Sequence, residues 1–185
     1  MIGDYKGTVK NKVVTALLQA YHDCLDYDGL KSILIEAGLL DLKDIKEIDP
    51  DKSLDYFSFK KIITAQNILL YECKRLLFEI GRKMSFYLFP FGKNFEEIVN
   101  ELNESIDTDW RVKIIESSEQ LYRIEVKNCI FCTQTGVPCD LFIGFMVHSL
   151  QKSLTTDKEV SHEIQILSED SLRDFILTLI IKKCS

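Results

Sequence analysis

The chain has 185 residues, of which 46% are hydrophobic, and its 29 acidic and 23 basic residues give a formal net charge of −6. This length is typical of one domain with its own core, so we expect a single domain over residues 1–185. The acidic balance argues against a nucleic-acid partner, which needs a basic face. There is neither a signal-peptide pattern nor the roughly 20 apolar residues that span a bilayer. We therefore expect a cytoplasmic protein whose six cysteines are reduced thiols or metal ligands.

The N-terminal half has the apolar spacing of helices. Apolar residues three and four apart predict a first helix that ends before Gly29, and a shorter second helix that ends at Gly38, which suits a left-handed C-cap. The charged segment 41–53 is predicted to be a loop. From Phe57 to Leu88 the spacing predicts one long helix, which Gly81 bends or splits.

An aromatic cluster follows this helix at a chain reversal. Its members surround Pro90 and Gly92, and they are Phe86, Tyr87, Phe89 and Phe91. Core packing and the lining of a ligand cavity both agree with such a cluster. Asn94, with Glu97 three residues later, predicts a capping box at the start of another helix.

The C-terminal half alternates with a period of two. This pattern predicts a β-hairpin that turns near Ser117 and two later strands, over Val160–Ile166 and Phe175–Ile181. A helix that opens at Pro138 and Cys139 lies between the hairpin and these strands. We therefore predict an α+β fold in which N-terminal helices pack on one face of a C-terminal antiparallel β-sheet.

Three cysteines, Cys129, Cys132 and Cys139, have the spacing C-x2-C-x6-C and end at this helix. A structural zinc site needs four ligands, and this stretch supplies three. Buried thiols that only pack are the alternative. Gly144 inside the helix costs about 1 kcal/mol relative to alanine, which predicts that a backbone or a ligand comes close to it.

Motifs for an enzyme are absent. The sequence has no phosphate-binding glycine loop, nucleophile elbow or dinucleotide fingerprint. The three histidines, His22, His148 and His162, have no nucleophile or carboxylate partner by spacing, so we do not expect catalysis.

Several segments together resemble a known family. The most specific of them are Asn128–Cys132, Val137–Cys139 and Gly144–Phe145, with support from Gly29–Leu34 and Leu76–Arg82. In these segments the chain resembles 4-vinyl reductase domains, which are related to the fold of the TRAPP vesicle-tethering subunits.

The resemblance implies a non-catalytic, sensor-type domain that holds a hydrophobic small molecule in a cavity between the helices and the sheet. Ligand contacts are then expected from Phe86, Phe89, Phe91, Gly144, Phe145 and His148. The alternative is a dimerising scaffold or adaptor of the TRAPP type, which acts through protein contacts. A homodimer is expected in either case, and a further protein partner is open. A reductase is the weakest interpretation, because no nicotinamide or flavin motif is present.

The resemblance also implies a set of zinc positions. Carried over to this sequence, they fall on Cys139, Glu163, Ile166 and Asp174, and an isoleucine cannot bind a metal. Cys129, Cys132 or His162 could complete the set, so the metal candidates are Cys129, Cys132, Cys139 and Glu163. We expect this site to be degenerate, with no cofactor required and zinc left open.

Overall fold

The computed structural model describes residues 7–90, 93–132, 139–168 and 171–184, and the helices and strands below are those of this part of the chain. The helices are α1 (Asn11–Glu36), α2 (Tyr56–Leu69), α3 (Lys74–Leu88), α4 (Phe95–Ser105) and α5 (Asp140–Gln151). The strands are β1 (Thr8–Lys10), β2 (Ser53–Asp55), β3 (Ile106–Asp107), β4 (Arg111–Ser117), β5 (Leu121–Lys127), β6 (Lys158–Ser168) and β7 (Ser171–Lys183). The fold is thus α+β, as predicted. None of the described helices combines the length and apolar composition needed to cross a bilayer.

The main sheet is antiparallel, with the strand order β4-β5-β7-β6. The predicted hairpin is confirmed, because β4 and β5 pair up to Ser117 and Tyr122. Alternate residues of the central strands, such as Ile124 and Leu177, pair across the sheet and are fully buried. The period of two in the sequence therefore marks the face that packs on the helices.

A second, smaller sheet was not predicted. It has the order β2-β1-β3, and Val9 at its centre pairs with Leu54 on one side and Ile106 on the other. These strands are two or three residues long. Such short strands show no recognisable alternation, which explains why the sequence did not reveal them.

The break in the first helical region lies close to the predicted place. Asp26 has a φ of 59°, and its Oδ1 accepts hydrogen bonds from the backbone N–H groups of Asp28 and Gly29. The second half of α1 therefore begins with an aspartate cap. Gly38 has a φ of +67°, as its predicted C-cap role requires.

The long helix predicted over Phe57–Leu88 is divided, but not at Gly81. The chain leaves the helix after Leu69 and re-enters it at Lys74, with Glu72 in the left-handed region at a φ of 65°. Neither glycine nor proline marks this turn, and the apolar spacing continues across it. The sequence pattern therefore could not show the division.

Gly81 and Gly144 instead allow α3 and α5 to touch through their backbones. A Cβ atom on Gly81 would lie 1.9 Å from the carbonyl oxygen of Leu141. A Cβ atom on Gly144 would lie 2.1 Å from the carbonyl oxygen of Phe78. The space in front of Gly144 is therefore filled by another backbone, which is one of the two alternatives that the sequence left open.

Candidate functional site

Three buried thiols meet between the sheet and the start of α5. Cys129 and Cys132 lie on the turn after β5, and Cys139 is the residue before α5. Their sulfur atoms lie within 4.8 Å of one another, and the Sγ atoms of Cys129 and Cys139 are 3.5 Å apart. We call Cys129, Cys132 and Cys139 the thiol cluster.

The turn that carries the first two thiols is held by two cations. Arg173 on β7 donates from Nε to the carbonyl of Cys129 (3.3 Å) and from Nη2 to that of Asn128 (3.1 Å). Lys60 on α2 donates to the carbonyls of Ile130 (3.1 Å) and Cys132 (2.8 Å). Side chains from distant parts of the chain therefore fix this turn.

The thiol cluster can carry a negative charge. Burial raises the pKa of Cys129, but hydrogen bonds from the thiols of Cys132 and Cys139 outweigh it and leave this pKa well below its ordinary value. The hydrogen bond to Cys129 raises the pKa of Cys132. Burial, and then the hydrogen bond to Cys129, raises the pKa of Cys139. The three thiols therefore titrate together, and Cys129 is the member whose thiolate form is favoured by its neighbours.

The other metal candidates do not join the thiol cluster. Glu163 and Ile166 are exposed on β6, and Asp174 accepts a hydrogen bond from the backbone N–H of Asn128 at 2.7 Å. The ring of His162 stacks on that of Phe78, with centroids 5.8 Å apart. Within the described residues, the group that could hold a metal ion is the three cysteines alone.

The predicted ligand residues are spread over several environments. Phe86 is 47% exposed and packs on Tyr87, whereas Phe89 and Phe145 are buried with ring centroids 6.2 Å apart. Phe91 lies outside the described residues. The described members of the aromatic cluster are therefore divided between the surface and the core.

His148 is half-buried and takes part in a polar contact between α3 and α5. Its Nδ1 lies 3.3 Å from the hydroxyl of Ser85, which is 2.8 Å from that of Ser149. Burial, followed by the charges of Lys152 and Arg82, lowers the pKa of His148 to about 4. The imidazole is therefore neutral at neutral pH.

A cleft of about 470 Å³ opens where α3 ends, α4 begins and α5 ends. The described residues that line it are Phe89, Pro90, Lys93, Asn94, Ile98, Lys152 and Ser153. Lys93 lies over the ring of Phe89 (5.7 Å to the centroid) and pairs with Glu101. We call this space the α3–α4–α5 cleft.

Sequence reasoning named Phe89, which lines the α3–α4–α5 cleft, but it missed the lysine and arginine side chains beside this cleft and beside the thiol cluster. Lys152 donates to the carbonyls of Ser85 (3.1 Å) and Phe89 (2.6 Å), so it caps the C-terminal end of α3. Lys60 reaches the thiol cluster from α2, about 70 residues away in the chain. No local sequence motif predicts that a lysine will bind a segment so far away in the chain.

No protein-family model and no curated protein matches the sequence. Solved structures do match. An oxygen-binding H-NOX domain related to soluble guanylate cyclases, in its oxygen complex, has a TM-score of 0.61 and 18% identity, with 95% of each chain covered. A mutant Fe(II) unliganded H-NOX protein from K. algicida has a TM-score of 0.62 and 10% identity, with 94% of this chain and 97% of that chain covered.

A third structure concerns the modulation of heme redox potential through protein-induced porphyrin distortion. It has a TM-score of 0.62 and 18% identity, and 95% of each chain is covered. These likenesses show that the chain has the H-NOX fold.

The comparisons correct three expectations. The resemblance to 4-vinyl reductase and TRAPP proteins is wrong, because the matching structures are H-NOX domains. The TRAPP-type scaffold loses its support for the same reason. The expectation that no cofactor is required is also wrong for this fold, since heme is the subject of a matching structure. The homodimer stays a prediction.

Proposed function

We propose that this domain is a non-catalytic, sensor-type domain that binds a small amphipathic molecule in the α3–α4–α5 cleft. The observation that carries the proposal is the cleft itself, whose volume of about 470 Å³ lies within the usual range for small-molecule sites. The H-NOX fold agrees with it, since an oxygen-binding H-NOX domain is among the matching structures.

The lining of the cleft selects the class of ligand. Phe89, Pro90 and Ile98 offer an apolar wall, whereas Lys152 brings a positive charge to it and Lys93 brings a second one, which is shared with Glu101. Lys152 uses its ammonium on backbone carbonyls, which satisfies its hydrogen bonds but does not neutralise its charge. An apolar body with one acidic group therefore fits this cleft better than a neutral or cationic ligand.

The polar contacts beside the cleft do not support catalysis. The closest arrangement to a nucleophile and base is Ser85 with His148, but Ser85 is fully buried and also contacts Ser149. A substrate cannot reach a hydroxyl in this position. The contact therefore joins α3 to α5 and has a structural role.

Heme needs a separate test, because the fold occurs in heme proteins. Heme iron is held in proteins by histidine, cysteine, methionine or tyrosine, and the described lining of the cleft contains none of these. His22 is exposed on α1, His162 is exposed on β6, and His148 is directed at Ser85. The described residues of the cleft therefore do not fit a heme that is bound through its iron.

The proposal is tested with 8-anilinonaphthalene-1-sulfonate, a fluorescent probe with an apolar aromatic body and one anionic group. We expect saturable binding of one probe per chain. N-phenyl-1-naphthylamine, which lacks the sulfonate, should bind about twofold to thirtyfold more weakly, because two lysines that each contribute about 0.2–1 kcal/mol supply roughly 0.4–2 kcal/mol together.

Two matched variants locate the probe. Ser153→Phe fills the cleft from an exposed position and should abolish binding. Thr64→Phe places the same ring in a separate groove on α2 and should leave binding unchanged. Equal binding by both variants, or no saturable binding by the parent protein, would refute the proposal. A 1:1 hemin complex with a protein-ligated Soret band that survives Ser153→Phe would place heme elsewhere and refute the cleft as the ligand site.

A further inference from the structure

The thiol cluster is unused by the proposed function and has the composition of a metal site. All three of its members are buried, with 0% exposure for Cys129, 2% for Cys132 and 6% for Cys139. Two come from one turn and the third from the start of the next helix. Three sulfur atoms that share one buried volume are the donor set that soft metal ions prefer.

The spacing of the sulfur atoms is close to that of a coordinated ion. Zinc–sulfur bonds of about 2.3 Å at tetrahedral angles place neighbouring sulfur atoms roughly 3.8 Å apart. In the cluster, Cys129 and Cys139 are 3.5 Å apart, and every pair lies within 4.8 Å. Coordination therefore needs displacements of about 1 Å or less, which a change of side-chain rotamer can supply.

We propose that Cys129, Cys132 and Cys139 bind one thiophilic d10 cation, Zn²⁺ or Cu⁺. Three thiolates complete a trigonal Cu⁺ site, and they leave one position of tetrahedral Zn²⁺ open to a ligand from outside the cluster. The segment 133–138 contains no cysteine, histidine, aspartate or glutamate, so the stretch between the cysteines adds no fourth strong ligand. Glu163 is not part of this site.

Charge supports the assignment. Three thiolates with Zn²⁺ carry a net charge of −1, and with Cu⁺ a net charge of −2. The guanidinium of Arg173 and the ammonium of Lys60 both bind carbonyls of the turn that holds Cys129 and Cys132. Two fixed cations beside the cluster offset the negative charge that a buried metal–thiolate site would otherwise hold unpaired.

Binding is a proton exchange and needs no redox partner. Each thiol that becomes a ligand forms one metal–sulfur bond and releases its proton to solvent, so up to three protons leave as one cation enters. The oxidation state of the metal and of the sulfur atoms does not change.

The test uses the full chain, purified anaerobically and fully reduced. A background variant with Cys24, Cys73 and Cys184 replaced by serine keeps the three clustered thiols and removes those that are exposed or half-buried. Titration with Co²⁺ should give one equivalent of an intense thiolate-to-metal absorption, which Zn²⁺ should displace. Cu⁺ is followed separately by competition with bathocuproine disulfonate.

Replacement of Cys132 by alanine in this background should weaken metal binding at least about 100-fold, since a three-ligand site loses one of its bonds. Lys60→Met, which keeps the ligands, should weaken binding by about tenfold to 100-fold, as changes to the surroundings of metal sites do. Circular dichroism of each variant checks that it folds.

The proposal is overturned by less than 0.1 equivalent of bound metal or by equal affinity after Cys132→Ala. If Cys132→Ala does not fold, the rate of iodoacetamide labelling of the background variant decides instead. One equivalent of Zn²⁺ or Cu⁺ should protect all three thiols from labelling, and unchanged rates would refute the site. Fluorescence of the sulfonate probe in the α3–α4–α5 cleft serves as an independent control, because the two sites share no residue.

Discussion

Replacement of Gly144 by alanine tests the backbone contact between α3 and α5. The new Cβ atom would lie 2.1 Å from the carbonyl oxygen of Phe78, whereas ordinary contacts begin at 3.4 Å. The two helices must therefore separate by about 1.3 Å along this direction, because a backbone carbonyl cannot turn aside as a side chain can. The packing of α3 against α5 therefore has to change along the whole region where the two helices cross.

The expected cost follows from two opposing effects. Alanine favours a helix over glycine by about 1 kcal/mol. Overpacking of a full interior costs about 1–3 kcal/mol or more, and the upper end applies where backbone has to move. We therefore expect Gly144→Ala to lower the free energy of unfolding by about 2 kcal/mol. Urea denaturation followed by circular dichroism measures it.

Controls separate the contact from the change in helix propensity. Thr64→Ala at an exposed position of α2 should change the stability by less than about 0.5 kcal/mol. Gly81→Ala should also destabilise, and the double variant should cost about 1 kcal/mol less than the sum, because one separation of the helices relieves both clashes. A Gly144→Ala protein that is more stable than the parent by about 1 kcal/mol would show that the helices do not touch here.

Two further predictions concern polar contacts between helices. The pKa of His148 in the folded protein, about 4, lies below its ordinary value of 6.5, so the free energy of unfolding should fall as the pH falls from about 6.5 to 4. Because the side chain is half-exposed and screened by solvent, we expect a loss of about 1–2 kcal/mol. His148→Gln should remove this pH dependence in urea denaturation measured at several pH values. The hydroxyl of Tyr21 donates to Oε1 of Gln66 at 2.7 Å in the core, so Tyr21→Phe should lower the free energy of unfolding by about 1–3 kcal/mol in the same assay. Adding Gln66→Leu should recover part of that loss, and no recovery would contradict the hydrogen bond.

Local patterns predicted the local structure. Asn94 and Glu97 form the capping box that their spacing indicated, and Gly38 has the left-handed conformation of a C-cap. The hairpin of β4 and β5 follows its alternation. Each of these features depends on residues that are close in the chain, and short-range rules apply to such residues.

Features that depend on tertiary contacts could be predicted less well from the sequence. The sequence left open whether a backbone or a ligand approaches Gly144, and only the position of α3 decides it. Likewise, the spacing of Cys129 and Cys132 indicates that they are neighbours, but it cannot show that Arg173 holds their turn. The family resemblance failed because short cysteine and glycine motifs are not specific, whereas the H-NOX likeness is a likeness of fold at 10–18% identity.

Helix α5 connects the two proposed sites. Cys139 precedes its first residue, and Lys152 follows its last, so the thiol cluster and the α3–α4–α5 cleft lie at its opposite ends, about 18 Å apart for a helix of 12 residues. Between them, Gly144 and Gly81 hold α5 against α3. Because these backbones are in contact and Lys152 caps the C-terminal end of α3 at the cleft, α3 and α5 pack against each other between the thiol cluster and the cleft.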